Sequence, residues 1–274
     1  MKKIIIVTGA SSGIGLEFAR QLAPRKDCSG RLMDELWLVA RRADRLTNLA
    51  VCLERDNPGL VVKPVAADLG GRTGGVLLSG LLTKAAADGG AFVDTLVNNA
   101  GFGTYGRFDT TDLTRQLDEI DLNVTSLTAV TGAVLPYMGR GSRIINTASL
   151  AAFSSMGGFA VYAASKAYVL NFSLALAAEL ECSGIAVIAL CPGSVDTEFA
   201  DVASEGLRKK VLHGKSPALV VKHCLKLLEK GKKIAIMALK WRIKAFLPRF
   251  FSRYFTAKVT MFTEKRPSRA DAQH

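Results

Sequence analysis

Tyr162 and Lys166 stand four residues apart in the segment YAASK, a spacing that puts both side chains on one face of a helix. A free tyrosine titrates near roughly pH 10, too high to exchange its proton readily at neutrality. A neighbouring ammonium stabilises the phenolate and lowers that value, and the tyrosine becomes an acid/base for a carbonyl oxygen. Alone, the pair has a plainer reading: a packed tyrosine beside a solvated lysine. Two further polar residues bear on the choice. Ser149 follows the apolar strand in RIINTAS, at the carboxyl end where α/β sheets bind ligands, and its hydroxyl can steady the same oxygen. Asn123 interrupts the apolar run LNVTSLTAV. A buried asparagine needs partners, within its helix or in a site.

A second chemistry is written at the amino end. In IIIVTGASSGIG an apolar strand meets a turn containing Gly9, Ser11, Ser12, Gly13, Ile14 and Gly15. Such a backbone approaches a phosphate closely, and the following helix start favours negative charge. The next apolar strand, LWLVA, ends in Arg41-Arg42. In a dinucleotide fold an acid there would accept the ribose hydroxyls of NAD, whereas arginine pairs with the 2′-phosphate of NADP. Asp34 and Glu35 lie at the wrong end of the strand for the acid's part. Asp68-Leu69, after VVKPVAA, stands where a carboxylate takes the adenine amino group; its plainer reading is a helix N-cap. Asn99, Ala100 and Gly101 end another strand. Pro192 and Gly193, followed by Val195 and Thr197, end a sixth.

These residues need elements to carry them. Strands are expected at residues 4–7, 36–40, 60–64, 95–98, 143–147, 185–191 and 233–238. Helices are expected at 13–22, 42–55, 74–87, 113–138, 155–180 and 216–230. Alternation of this kind predicts an α/β doubly wound parallel sheet, Rossmann-like, with about seven strands and helices on both faces. Residues 1–240 read as one dinucleotide-binding and catalytic domain. Residues 241–274 read as a basic amphipathic extension, not a separate domain.

Composition narrows the function. Of 274 residues, 49% are apolar, enough for a sizeable core. The net charge of +12 is concentrated: residues 206–266 hold 17 Lys and Arg against two acids, Glu229 and Glu264. A uniformly nucleic-acid-binding surface is therefore not expected. Cys28, Cys52, Cys182, Cys191 and Cys224 show no paired spacing, which fits reduced thiols in the cytoplasm. His213, His223 and His274 are too scattered for a site, and no metal is expected. MKKIIIV has too short an apolar run for a signal peptide and reads as a first strand. The uncharged run 144–165 carries Asn146, Ser149 and Ser154 and does not read as a membrane span.

TGASSGIG, NNAG, the separate asparagine and serine, YxxxK and PGxVxT occur together and in order, and in this the chain resembles the short-chain dehydrogenase/reductase family in its single-domain form. The resemblance runs from about residue 4 to residue 197. It implies that Tyr162 is the acid/base and that Lys166 lowers its pKa and holds the nicotinamide ribose. It implies that Ser149 orients the substrate oxygen and that Asn123 supports a proton relay through water. Asn99 to Gly101 would line the cofactor, with Gly193, Val195 and Thr197 at its nicotinamide end. The implied reaction is NADP(H)-dependent reduction of a carbonyl to a secondary alcohol, or the reverse. Family members form homodimers or homotetramers through the helices bearing Asn123 and YxxxK.

Phe102, Tyr105, Phe108, Phe153 and Phe159 lean toward an apolar ketone or acyl-type substrate, and residues 198–215 toward a lid. The stretch KWRIKAFLPRFFSRYF, residues 240–255, is left over. On a helical projection Ile243, Phe246, Leu247, Phe250 and Tyr254 share one arc between basic edges. That arc packs on the domain or a second subunit, or, less favoured, lies on a membrane or meets an acidic carrier through residues 240–266. Two readings thus stand beside a reductase of a small soluble molecule: a reductase of a carrier- or membrane-delivered substrate, and, remotely, a non-enzymatic NADP-binding scaffold.

Overall fold

The computed structural model describes residues 1–27, 29–208, 214–263 and 267. Cys28, His213, His274, residues 209–213 of the expected lid and the chain end beyond residue 267 lie outside them, as do residues 264–266.

The first half of the chain alternates as its apolar runs predict: β1 (Lys2–Thr8), α1 (Gly13–Leu22), β2 (Glu35–Ala40), α2 (Ala43–Asp56), β3 (Val61–Ala66), α3 (Thr73–Ala87) and β4 (Ala91–Asn98). Next comes one long interrupted helix. It consists of α4 (Leu113–Ile120), a π-helical turn over Asp121–Ser126, and α5 (Leu127–Val134). Asp112 caps α4 by accepting from the amides of Thr114 and Arg115, the local reason the helix starts there. Pro136 sits in a 3₁₀ turn that closes α5, because it has no amide to continue the ladder. Then follow β5 (Arg143–Thr147), α6 (Ala160–Glu179), β6 (Ala186–Leu190), α7 (Phe199–Ala203), α8 (Pro217–Glu229) and β7 (Ile234–Ala235). The tail forms α9 (Leu239–Phe246), a 3₁₀ turn over Leu247–Phe250 and α10 (Arg253–Thr263).

The strands form a seven-stranded parallel sheet in the order β3-β2-β1-β4-β5-β6-β7. The chain reverses direction across the sheet between β1 and β4. Their carboxyl ends, Thr8 and Asn98, therefore flank a crevice. One face of the sheet is covered by α1, α2 and α8 through Phe18, Leu46, Leu49 and Val221. The other is covered by α3 and α5 through Leu78, Leu82, Val130 and Val134. Burial of a side chain such as Phe18 is worth about 2–3 kcal/mol. The two-sided core is why residues 4–7 of β1 and 36–40 of β2 are continuously apolar rather than alternating. Glu35 is buried at the amino end of β2 and paired with Lys63 at 2.8 Å and Lys2 at 3.3 Å, far from the crevice.

Four expectations shift. Helix 155–180 begins only at Ala160, because Gly157 and Gly158 form a loop held against Met261 of the tail. Strand 233–238 shortens to two residues, paired with Ala189 and Leu190. Asp68 is not an N-cap: α3 starts at Thr73, and the Asp68 carboxylate accepts from the Gly70 amide at 3.0 Å. The tail's aromatic arc does not pack on its own domain. Ile243, Phe246, Leu247, Phe250 and Tyr254 are all exposed, and it is Trp241 and Ala245 on the opposite side of α9 that face inward.

Helix α6 is apolar and long enough to cross a membrane by length and composition alone, but half of it is buried in the protein, and it carries YxxxK.

Close helix packing gives a paired stability prediction. A Cβ on Gly75 in α3 would lie 2.8 Å from the Ala129 Cβ and carbonyl oxygen of α5, whereas one on Gly80 would meet nothing within 4 Å. Gly75→Ala should destabilise the chain by about 1–3 kcal/mol, since backbone cannot yield cheaply. Gly80→Ala should stabilise it by up to about 1 kcal/mol through helix propensity. Urea unfolding of the two variants checks both signs.

Candidate active site

The glycine turn between β1 and α1 is built for close approach. Gly9 has φ +66°, and a Cβ there would stand 2.9 Å from Asn99 Nδ2. A Cβ on Gly15 would lie 2.2 Å from the Gly9 carbonyl oxygen. Both positions therefore exclude side chains, leaving bare backbone at the start of α1. Thr8 joins this turn to the end of β4. Its hydroxyl accepts from the amides of Asn99 and Ala100 at 2.9 and 3.1 Å and donates to the Val97 carbonyl.

The reacting groups enter from the other side. Lys166 Nζ, buried, donates to the Thr147 carbonyl at the end of β5 at 2.9 Å. It stands 5.7 Å from the centre of the Tyr162 ring. The Tyr162 hydroxyl faces that of Ser149, which also caps the turn after β5 by accepting from the Ala151 amide. Asn123 lies in the π-helical turn. Its amide donates to the Phe102 carbonyl at 2.8 Å and to Ser165 at 3.1 Å, and its carbonyl accepts from the Phe102 amide at 3.1 Å. Beneath them Asn98, Asn146 and Ser173 form a buried chain of 2.9 Å hydrogen bonds across β4, β5 and α6. This chain fixes the strands in register.

A cavity of about 790 Å³ collects these groups. Its wall includes Gly9, Ser11, Ser12, Gly13, Ile14, Arg41, Arg42, Asp68, Leu69, Asn99, Ala100, Gly101, Ser149, Tyr162, Lys166, Pro192, Gly193, Val195 and Thr197. Gly15 and Asn123 are behind it. Of the expected apolar pocket, Phe102, Tyr105 and Phe159 line the cavity. Phe108 is exposed, and Phe153 packs into a separate core cluster around Val169. Phe159 stacks on Tyr162 at 4.2 Å, and Tyr105 and Phe199 tilt against this pair. A second hollow of about 670 Å³, lined by Val76, Val124, Thr128 and Tyr168, opens on the outer side of α3, α5 and α6, away from these groups.

At the glycine-turn end of the cavity Arg42 bridges that turn and the start of α7. It donates to Ser11 at 3.1 Å and Ser12 at 2.7 Å, and pairs with Glu198 at 2.7 Å. Arg45 holds the other Glu198 oxygen at 2.6 Å. The Arg45 and Arg42 guanidinium groups together keep the Glu198 carboxyl below the usual range. A cationic, hydroxyl-rich corner next to bare helix-start amides is a fitting donor set for a phosphorylated dinucleotide.

Burial pushes the Tyr162 phenol above its ordinary value, against the opposing pull of the Ser149 hydroxyl. The tyrosine therefore keeps its proton at neutrality. Burial also brings Lys166 down to about 8. Sequence reasoning missed a carboxyl that works against this. Glu119 on α4 is fully buried, burial raises it to about 7, and its charge supports that of Lys166. It faces Thr104 without a well-formed hydrogen bond. The available signal was its position four residues before Asn123, hence on the same helix face. Also missed were Trp241 and Lys244, which line the cavity from α9.

Comparison with known proteins agrees with this geometry. A family model described as short chain dehydrogenase matches residues 3–208. Sulfoacetaldehyde reductase 2 of Chromohalobacter salexigens is 35% identical over 210 residues, 75% of this chain and 78% of the relative. Among solved structures, a short-chain dehydrogenase from Sphingobium yanoikuyae in complex with NADPH is 28% identical. It superposes with a TM-score of 0.75, covering 97% of this chain and 96% of that one. A short chain dehydrogenase from Burkholderia cenocepacia in complex with NADP is 26% identical, with a TM-score of 0.68 over 86% of this chain and 94% of that one.

The buried ammonium carries a measurable cost. With a folded pKa near 8 against an ordinary 10.5, Lys166 destabilises the fold while charged, below about 8. That penalty is relieved as pH rises from about 8 toward 10.5. Lys166→Met should therefore stabilise the chain at neutral pH by about 1–3 kcal/mol, net of the hydrogen bond lost at Thr147. The gain should shrink through that window. Thermal unfolding at several pH values reads both the sign and the slope.

Proposed function

The chain belongs to the short-chain dehydrogenase family, and from that premise we propose that it is an NADP(H)-dependent oxidoreductase that reduces an apolar ketone or acyl-type carbonyl to a secondary alcohol, or runs the reverse. One observation carries the reading: Ser149, Tyr162 and Lys166 converge on the wall of the cavity whose other end is the Gly9–Gly15 turn.

A nicotinamide dinucleotide held in this cavity would supply the hydride equivalent for reduction, or accept it in the reverse direction. The remaining chemistry belongs to the chain's own residues. Tyr162, held as a phenol by burial, gives its proton to the substrate oxygen. Ser149 donates to that oxygen and orients it. Lys166 keeps a positive charge beside the ring, which favours the phenolate left behind, and also holds the nicotinamide ribose. Asn123 supports resupply of the proton through water. Arg41 and Arg42, with Ser11 and Ser12, take the 2′-phosphate, and Asp68 beside Leu69 takes the adenine amino group. Gly13, Ile14 and Asn99 to Gly101 flank the dinucleotide. Pro192, Gly193, Val195 and Thr197 close its nicotinamide end.

Phe102, Tyr105, Met156, Phe159 and Phe199 give the substrate end an apolar wall, which supports an apolar carbonyl over a sugar. Residues 1–240 act as the catalytic domain, and residues 241–274 as an extension of it. Exposed Leu113, Leu117 and Ile120 on α4 and Tyr168 on α6 support pairing into a homodimer or homotetramer. Unpaired thiols at Cys52, Cys182, Cys191 and Cys224 support a reducing, cytoplasmic setting.

Tyr162→Phe should lower turnover by about 10²–10⁴-fold while NADPH binding, read by fluorescence, survives; retained turnover would remove Tyr162 from the reaction. Arg41→Ala should weaken NADPH by about tenfold and NADH little. Glu198→Gln should act in the opposite sense, tightening NADPH alone, because it frees Arg42 and Arg45. Equal effects on both cofactors would refute the phosphate assignment.

A further inference from the structure

The tail has two sides with different surroundings. Its inner side belongs to the site. Trp241 lies so close over Gly193 that a Cβ there would stand 2.6 Å from the indole, and Trp241 and Lys244 line the cavity. Farther along, Thr260 of α10 accepts from the Gly157 amide at 3.2 Å, and Met261 packs on the same loop. The tail therefore runs across the cavity's rim, from the end of β6 to the loop before α6.

Its outer side is apolar and uncovered. Phe250 is 68% exposed, Tyr254 71% and Phe262 79%, with Ile243, Phe246 and Leu247 also in water. Basic side chains edge this face: Arg242, Arg249, Arg253 and Lys258 are exposed. Among the described residues none of these four pairs with an acid. Instead Arg249 leans over Phe246 at 5.5 Å and Lys258 over Tyr254 at 5.3 Å. No Asp or Glu occurs from Lys230 to Thr263.

Charge selects among possible occupants. A second copy would bring like charges together, with no acid to relieve them. An acidic protein would answer the arginines but leave the protruding phenylalanines without hydrocarbon. An anionic bilayer surface answers both demands, phosphates for the basic edge and acyl chains for the aromatic face.

We propose that the outer face of α9, the Leu247–Phe250 turn and α10 docks on an anionic lipid bilayer, so that an apolar carbonyl dissolved in the membrane reaches the cavity past Trp241. Docking follows from the surface alone; substrate delivery also rests on the reductase reading. The second is placed by continuity: the helix that meets the lipid on one side is the cavity wall on the other.

Sedimentation of the full chain with vesicles tests the docking without any turnover. The chain should pellet with phosphatidylcholine vesicles containing phosphatidylserine and only weakly with pure phosphatidylcholine. Phe250→Asp/Tyr254→Asp should cut the anionic-vesicle partition by at least about tenfold. Arg249→Glu/Arg253→Glu should do the same on anionic vesicles, again by about tenfold or more, and change little on neutral ones. All variants should reduce a water-soluble ketone at the wild-type rate, which shows that they fold. A chain that stays in solution with anionic vesicles overturns the proposal. So do variants that pellet as the wild type does, a dimer that falls apart in Phe250→Asp/Tyr254→Asp, or capture by an acyl carrier protein without vesicle binding. Wild-type vesicle binding with no ketone turnover would sink the reductase reading and leave the docking intact.

Discussion

An ammonium group buried beside a buried phenol is the constraint around which the rest of this structure is arranged. Lys166 has left water without gaining a carboxylate in contact, and burial draws its pKa down to about 8 against the opposing charge of Glu119. Two features offset the penalty. The Thr147 carbonyl at the end of β5 accepts a hydrogen bond from Nζ. Glu119, buried on α4, supplies a negative charge from farther off. A direct ion pair would have fixed the lysine more firmly, but it would also have neutralised the charge that the phenolate needs. The polar chain Asn98–Asn146–Ser173 holds β4, β5 and α6 in the positions this arrangement requires.

The opposite wall of the cavity is made by exclusion rather than by charge. Gly9 and Gly15 keep side chains out of the turn. Gly101 does so beside Asn123, where a Cβ would stand 2.5 Å from the amide oxygen. Gly193 does so under Trp241. Arg42 then links the turn to Glu198 at the start of α7.

What the sequence made legible follows from the range of the interaction. Tyr162 and Lys166 are one helical turn apart, so periodicity alone places them together. The β1 run and its glycine turn are contiguous, so the phosphate cradle is legible as a unit. Features set by distant partners were not legible. Trp241 belongs to the cavity because β6 delivers Gly193 beneath it, and nothing near Trp241 in the chain announces that. Glu119 reads as a solvated helix acid until α6 packs over it. The direction of the Tyr162 shift depends on how deeply the ring is buried, which spacing does not encode. The tail's aromatic arc was legible as an arc, but its outward orientation depends on which side of α9 meets the domain.

The central claim is that this buried pair, facing a phosphate-binding turn, performs carbonyl reduction with NADPH. Oxidation of NADPH by the purified chain over a panel of carbonyls, followed by absorbance with NADH in parallel, tests it most directly. The account predicts turnover of apolar ketones, with NADPH preferred to NADH and sugars poor. NADPH binding without oxidation by any carbonyl in the panel would contradict it and make the chain a cofactor-binding scaffold.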